Sequence, residues 1–164
     1  MREMTFQRSD IWVAHGRNFA VEVKHYFREP LAGSMYATGG HNWTMYAYIY
    51  PKHPLFARLR TTGESYELMY QDAANELPLH GGPTYFMVHR PGGLESISSV
   101  QIGCDYQHLH DEMYSMASPA DDGGPNFLLA QDAKELFDHL EAMVDDASKT
   151  QPNWDASAIA AESV

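Results

Sequence analysis

Apolar and polar positions alternate along the first third of the chain. Over residues 17–27, Phe19, Val21, Val23 and His25 fall on one face, and Ala20, Glu22, Lys24 and Tyr26 on the other. A period of two is that of a strand with one wet face. Residues 11–14 read as its partner strand, with His15-Gly16 as the join. A Gly- and Pro-bearing connection follows over residues 29–40.

Residues 42–50 are the strongest strand. Trp43, Met45, Ala47 and Ile49 point one way, and Thr44, Tyr46, Tyr48 and Tyr50 the other. A strand apolar on both faces belongs in the middle of a sheet. Pro51 ends it, and Pro54 opens a short helix over residues 55–60. Residues 64–76 fit a strand or a helical turn equally well. Residues 84–90 and 96–105 read as a hairpin about Pro91-Gly92-Gly93, with Val100, Ile102 and Cys104 on one face of the return strand.

The pattern then changes period. Leu136, Phe137, Leu140, Met143 and Val144 form a stripe at helical spacing, opposite Glu135, Asp138, Glu141 and Asp145. Asp132 with Glu135 resembles a capping box, so the helix is expected over residues 132–147. The fold class is α+β: an antiparallel sheet of about five strands with a long C-terminal helix packed on one face. One domain over residues 1–148 is expected, followed by a flexible tail over 149–164.

Composition narrows the function. The chain has 164 residues, enough for one domain, and 44% are hydrophobic, which excludes wholesale disorder. The net charge of −11 is lopsided: residues 1–110 hold 10 acids and 9 bases, and residues 111–164 hold 12 acids with only Lys134 and Lys149. General nucleic-acid binding through phosphate neutralisation is thereby disfavoured. The acidic third is a solvated helix face or a surface for a basic protein partner. A single cysteine, Cys104, excludes a disulfide framework and a multi-cysteine metal site. The longest apolar run, residues 45–50, is far short of a bilayer span, and with a polar start no signal peptide is expected. A soluble, cytoplasmic protein with no membrane partner is expected.

Two stretches carry the candidate chemistry. In the first, Leu79-His80-Gly81-Gly82-Pro83-Thr84-Tyr85, a histidine precedes a glycine pair that opens a strand. Paired glycines permit positive φ and close approach of a ligand to the backbone. In the second, Gly103 to Glu112, the side chains Asp105, His108, His110, Asp111 and Glu112 crowd together after a strand. If the chain turns helical, Asp105, His108 and Asp111 or Glu112 share a face. If it stays extended, His108 and His110 do. Either arrangement supplies two or three donors to a divalent cation, and imidazole with carboxylate suits zinc, manganese or iron. A bland reading, a tight turn and an acidic loop whose histidines bridge to Asp, stands beside each.

His53, at the end of the central strand, is a third candidate for the same pocket. Loop His41 is a weaker one, and His15, His25, His89 and His139 read as structural. Cys104, on an apolar strand face beside Asp105, reads as inert packing. No phosphate loop, dinucleotide fingerprint or nucleophile elbow is present.

The segments SDIWVAHGRNFAVEV, WTMYAYIYPKHPLF, LPLHGGPTYF and VQIGCDYQHLHD resemble a group of small uncharacterised proteins of phages and of phage- or plasmid-derived regions of bacterial genomes. The shared residues are His53 and Pro54; His80, Gly81, Gly82, Thr84 and Tyr85; and Gly103, Asp105, His108 and Asp111. His110 and Glu112 lie outside that pattern. The resemblance spans about residues 10–112 and implies that these residues gather at one pocket, in an accessory protein of phage–host conflict.

Three functions follow as expectations. The first is a pocket of His53, His80, Gly81, Gly82, Tyr85, Tyr106, Asp105, His108 and Asp111 that binds a small, nucleotide-like ligand, with Tyr46 and Tyr48 helping to wall it. The second is a metal-dependent hydrolase in which His80, Asp105 and His108 hold the cation and Asp111 serves as base. The third is an acidic protein-interaction or inhibitor module working through the C-terminal third.

Overall fold

A computed structural model describes residues 8–29, 39–93, 95–108 and 110–150. Five antiparallel strands form one sheet: β1 (Ser9–Gly16), β2 (Phe19–Phe27), β3 (His41–Ile49), β4 (Tyr85–His89) and β5 (Ser99–Asp105), in the order β1-β2-β3-β5-β4. The helices are α1 (Ser65–Leu68), α2 (Asp72–Asn75), α3 (Glu112–Ser115) and α4 (Phe127–Thr150). The α+β reading with a long C-terminal helix holds.

β3 is central, as its two apolar faces required. Its Trp43, Met45, Ala47 and Ile49 are wholly buried, in register with His25, Val23, Val21 and Phe19 of β2. On its other side Met45, Ala47 and Ile49 pair with Cys104, Ile102 and Val100 of β5. Leu129, Leu136 and Leu140 of α4 cover this face, together with Leu55, Leu59, Leu68, Leu77 and Leu79 from the segment between β3 and β4. Each fully buried leucine contributes roughly 2 kcal/mol. The opposite face carries the half-buried Glu22, Tyr46, Tyr48 and Tyr85 and the exposed Ile11, Val13 and Met87.

Several boundaries move, each for a local reason. β1 and β2 meet at Arg17-Asn18 instead of His15-Gly16, with Asn18 at φ 62° making the turn. Gly16 stays within the strand because the Phe19 ring occupies the place of a Cβ. α4 starts at Phe127, where Asn126 Oδ1 accepts the Leu128 N–H at 3.0 Å. Asp132 is therefore an interior helix residue and not a cap. Residues 64–76 settle as two single helical turns, α1 and α2. The connection between β4 and β5 is longer than a tight hairpin: β5 begins at Ser99, and Gly92 and Gly93 both hold positive φ.

The C-terminal half of α4 is clamped to the β1–β2 turn. Arg17 bridges Glu141 at 2.6 Å and Asp145 at 2.7 Å, and its own N–H reaches Glu141 at 2.9 Å. Two acids expected to face water thus fix the helix on the sheet. Among the described residues no helix is long and apolar enough to cross a membrane. Most of the expected connection over 29–40, and of the tail over 149–164, lies outside the described residues.

Candidate metal centre

His80 sits in a turn closed by the Gly82 N–H on the Leu79 carbonyl at 3.0 Å. Gly81 and Gly82 hold φ of 70° and 82°, the region glycine enters freely. Gly81 is needed for space as well, because a Cβ there would lie 3.1 Å from the His108 ring. The glycine pair thus brings the two histidines together.

The second stretch begins in β5, which ends at Asp105, and reaches α3 at Glu112. Between them the Asp111 N–H bonds the His108 carbonyl at 3.0 Å, and His110 takes φ 80°. The turn folds Asp111 back so that its Oδ2 accepts the backbone N–H of His108 at 2.9 Å and faces His108 Nδ1 at 3.0 Å. Its Oδ1 meets His80 Nε2 at 2.8 Å. One carboxylate therefore bridges two imidazoles from separate parts of the chain.

His80 Nε2, His108 Nδ1 and an Asp111 oxygen can all lie within 4.8 Å of one another. Tetrahedral ligands about 2.1 Å from a zinc ion stand somewhat over 3 Å apart, so small adjustments would seat a cation among them. Asp105 is set back. Its Oδ1 is 3.7 Å from His108 Nδ1, and it also accepts the Gln107 N–H at 3.2 Å. The three grouped ligand atoms thus include an oxygen of Asp111 and not one of Asp105, which stands beside them as a neighbouring carboxylate.

An aromatic wall orders this cluster from beneath. The His80 ring stacks on Tyr106 at 4.6 Å, nearly parallel, and meets the edge of Tyr114 at 5.0 Å. The buried Tyr106 hydroxyl donates to Asp132 Oδ2 at 2.8 Å, which ties the cluster to α4. Burial raises the Tyr106 phenol well above its ordinary range, so it stays a neutral donor. Burial opposes ionisation of Asp111 too, yet hydrogen bonds from His80 and His108 outweigh it and hold the carboxyl below its usual value. Asp111 is an anion at neutral pH, as a metal ligand must be.

Other expected site residues lie elsewhere. His53 is in the core beneath α4: its Nε2–H donates to the Leu140 carbonyl at 3.0 Å and its Nδ1 accepts the Leu55 N–H at 3.1 Å. Both nitrogens are occupied, and burial lowers its pKa. Tyr85 and Tyr46 pack edge to face at 5.3 Å on the opposite side of the sheet. There the Tyr46 ring lies where a Cβ of Gly103 would stand, which explains the glycine. Of the four tyrosines expected to wall one pocket, Tyr106 alone touches the cluster. Cys104 is buried with its thiol pushed up to about 12 by burial, so it is inert.

Tyr114, not singled out in the sequence, and Asp132, expected there only as a helix cap, both support the site; a Tyr eight residues past Tyr106 gives no periodic signal. Comparison with known protein families, characterised proteins and solved structures finds no match.

Proposed function

We propose that His80, His108 and Asp111 hold one divalent cation, zinc, manganese or iron, and that the protein is a metal-assisted hydrolase acting on a small polar molecule. The observation that supports it is the single Asp111 carboxylate between two histidines brought together by independent turns. Two histidines and one carboxylate would leave coordination positions open, and a cation held there would supply an activated water. Asp105, 41% exposed and 3.7 Å from His108, would be the carboxylate to take a proton from it. The roles first expected of Asp105 and Asp111 are thereby exchanged.

Binding without turnover has less support. Three cavities among the described residues are lined by residues around Trp12 and Phe137, around His25 and His41, and around Arg58 and Tyr70, and none of these is lined by the cluster. The acidic-module reading is weakened because Glu141 and Asp145 are engaged by Arg17. The resemblance to phage-associated proteins favours an accessory role for the hydrolase.

Metal analysis of tag-free protein purified without chelators tests this reading. Near-stoichiometric zinc, manganese or iron is expected, lost in His108→Ala and Asp111→Asn, together with hydrolysis of phosphoester or amide test substrates that chelator abolishes. Metal-free protein that takes up none of these ions on dialysis would refute the proposal.

A further inference from the structure

A second histidine cluster lies on the strands, apart from the turns that build the metal site. Asp10 of β1 is the register partner of His25 of β2, and both face the core side of the sheet. Asp10 Oδ2 meets His25 Nδ1 at 3.1 Å, and His25 Nε2 meets Nδ1 of His41, the first residue of β3, at 2.9 Å. His25 is 2% exposed and packs against Trp43 at 4.5 Å.

The order of protons along this chain follows from what each group can do. A carboxylate only accepts, so His25 carries its proton on Nδ1 and its Nε2 accepts. His41 must then donate from Nδ1, which leaves a lone pair on its Nε2. Burial lowers the pKa of both imidazoles, against the opposing pull of Asp10 on His25, so both are neutral near pH 7. Among the described residues no partner hydrogen-bonds His41 Nε2.

The chain ends at a cavity. A space of about 620 Å³ is lined by Arg8, His25, Phe27, His41, Ser118 and Asp121 among others. Its outer wall is anchored by indole N–H bonds, Trp12 to the Gly123 carbonyl and Trp43 to the Ala117 carbonyl, each 2.9 Å. Phe27 meets the His41 ring edge to face at 5.1 Å and offers a flat apolar side. Arg8 touches Asp10 only through Nε, at 3.4 Å, and its side chain is 75% exposed, so its terminal amino groups can meet an anion.

We propose that Asp10, His25 and His41 form a hydrogen-bonded chain that presents the His41 Nε2 lone pair as an acceptor to a small, flat, hydroxyl-bearing organic anion in this cavity. The ligand's O–H donates to His41 Nε2, and no covalent bond is made or broken. The His41 Nδ1–H bond to His25, which Asp10 orients, fixes the tautomer that leaves this lone pair free. His41 is the binding residue, and His25 and Asp10 are positioning residues. This site stands independently of the metal reading.

The test uses full-length protein with ¹⁵N-labelled histidine and 4-hydroxybenzoate as probe. Nitrogen shifts are expected to give Nδ1–H tautomers for both His25 and His41. Adding the probe should shift the His41 Nε2 signal upfield, as acceptance of a hydrogen bond does, and leave the signals of histidines outside this hydrogen-bonded chain unmoved. Arg8→Ala should weaken binding about tenfold, the loss of one charge-assisted hydrogen bond. His41→Gln, at the cavity wall, should weaken probe binding at least about tenfold, and Asp10→Asn should release the His25 tautomer. An Nε2–H tautomer at His41 in free protein, or His41 signals unmoved by saturating probe, would overturn the proposal.

Discussion

His53 and His80 look alike in the sequence: each stands at a turn next to a strand, close to a proline or glycine. In the fold they are opposites. His53 is sealed under α4 with both ring nitrogens bonded to backbone, one to Leu140 and one to Leu55. His80 is half-buried and shares one partner, the Asp111 carboxylate, with His108. A histidine whose two nitrogens are saturated by backbone is a structural strut. One that shares a carboxylate with a second histidine, with ligand atoms within reach of one point, can hold a cation.

The contrast is open to direct attack by substitution. The largest stability effect is expected from His53→Ala, which opens a cavity and strands the Leu55 N–H. A loss of about 3 kcal/mol is expected in urea unfolding, with metal affinity unchanged in the folded protein. Asp111→Asn should do the reverse. It should cost only about 1–2 kcal/mol of stability, yet lower metal affinity by at least about tenfold in a calorimetric titration. Gly81→Ala comes next, at about 1 kcal/mol, because alanine resists φ 70° and its Cβ presses on the His108 ring. Metal affinity should fall with it, since the ring must give way.

The acid limb gives a smaller and separable signal. The Asp111 carboxyl is depressed in the folded state, so its stabilisation is fully present above the unfolded value of about 3.9. It is lost as pH falls from there through the folded value. Metal-free protein should lose part of its stability over that range, and Asp111→Asn should flatten this part of the profile. Smallest of all is the expected effect on Cys104: with the thiol buried and pushed up to about 12, alkylation of native protein at neutral pH should be slow until the chain unfolds.

Much of the fold was legible because strands and the long helix announce themselves by period. The alternation of residues 42–50 placed β3 at the centre, and Leu136, Leu140 and Phe137 gave α4 its buried side. The start of α4 was misread since Asp132 and Glu135 mimic a cap, whereas Asn126 supplies it six residues earlier. The candidate site was legible as a cluster but not in its roles. Asp105 and Asp111 are both three residues from His108, and only the turn that bonds the Asp111 N–H to the His108 carbonyl decides which carboxylate folds back onto the histidines.

His53 and His25 show why side-chain fate is harder to read than secondary structure. Nothing local reveals that α4 brings the Leu140 carbonyl to His53. Likewise, strand register alone sets Asp10 beside His25, and His25 in turn meets His41. His25 therefore belongs to a hydrogen-bonded chain although its own neighbours in sequence, Lys24 and Tyr26, give no sign of it. Pairings between distant segments carry the chemistry in both clusters.

The central claim is that His80, His108 and Asp111 form one cation site from which His53 and His110 are excluded. Titration of metal-free protein with Co²⁺, followed by its visible absorption bands, tests it most directly, because those bands report the ligand set. The account predicts saturation at one ion per chain, loss of the bands in His108→Ala and Asp111→Asn, and an unchanged spectrum in His110→Ala. Bands that persist in Asp111→Asn, or fail to develop in the wild-type protein, would contradict it.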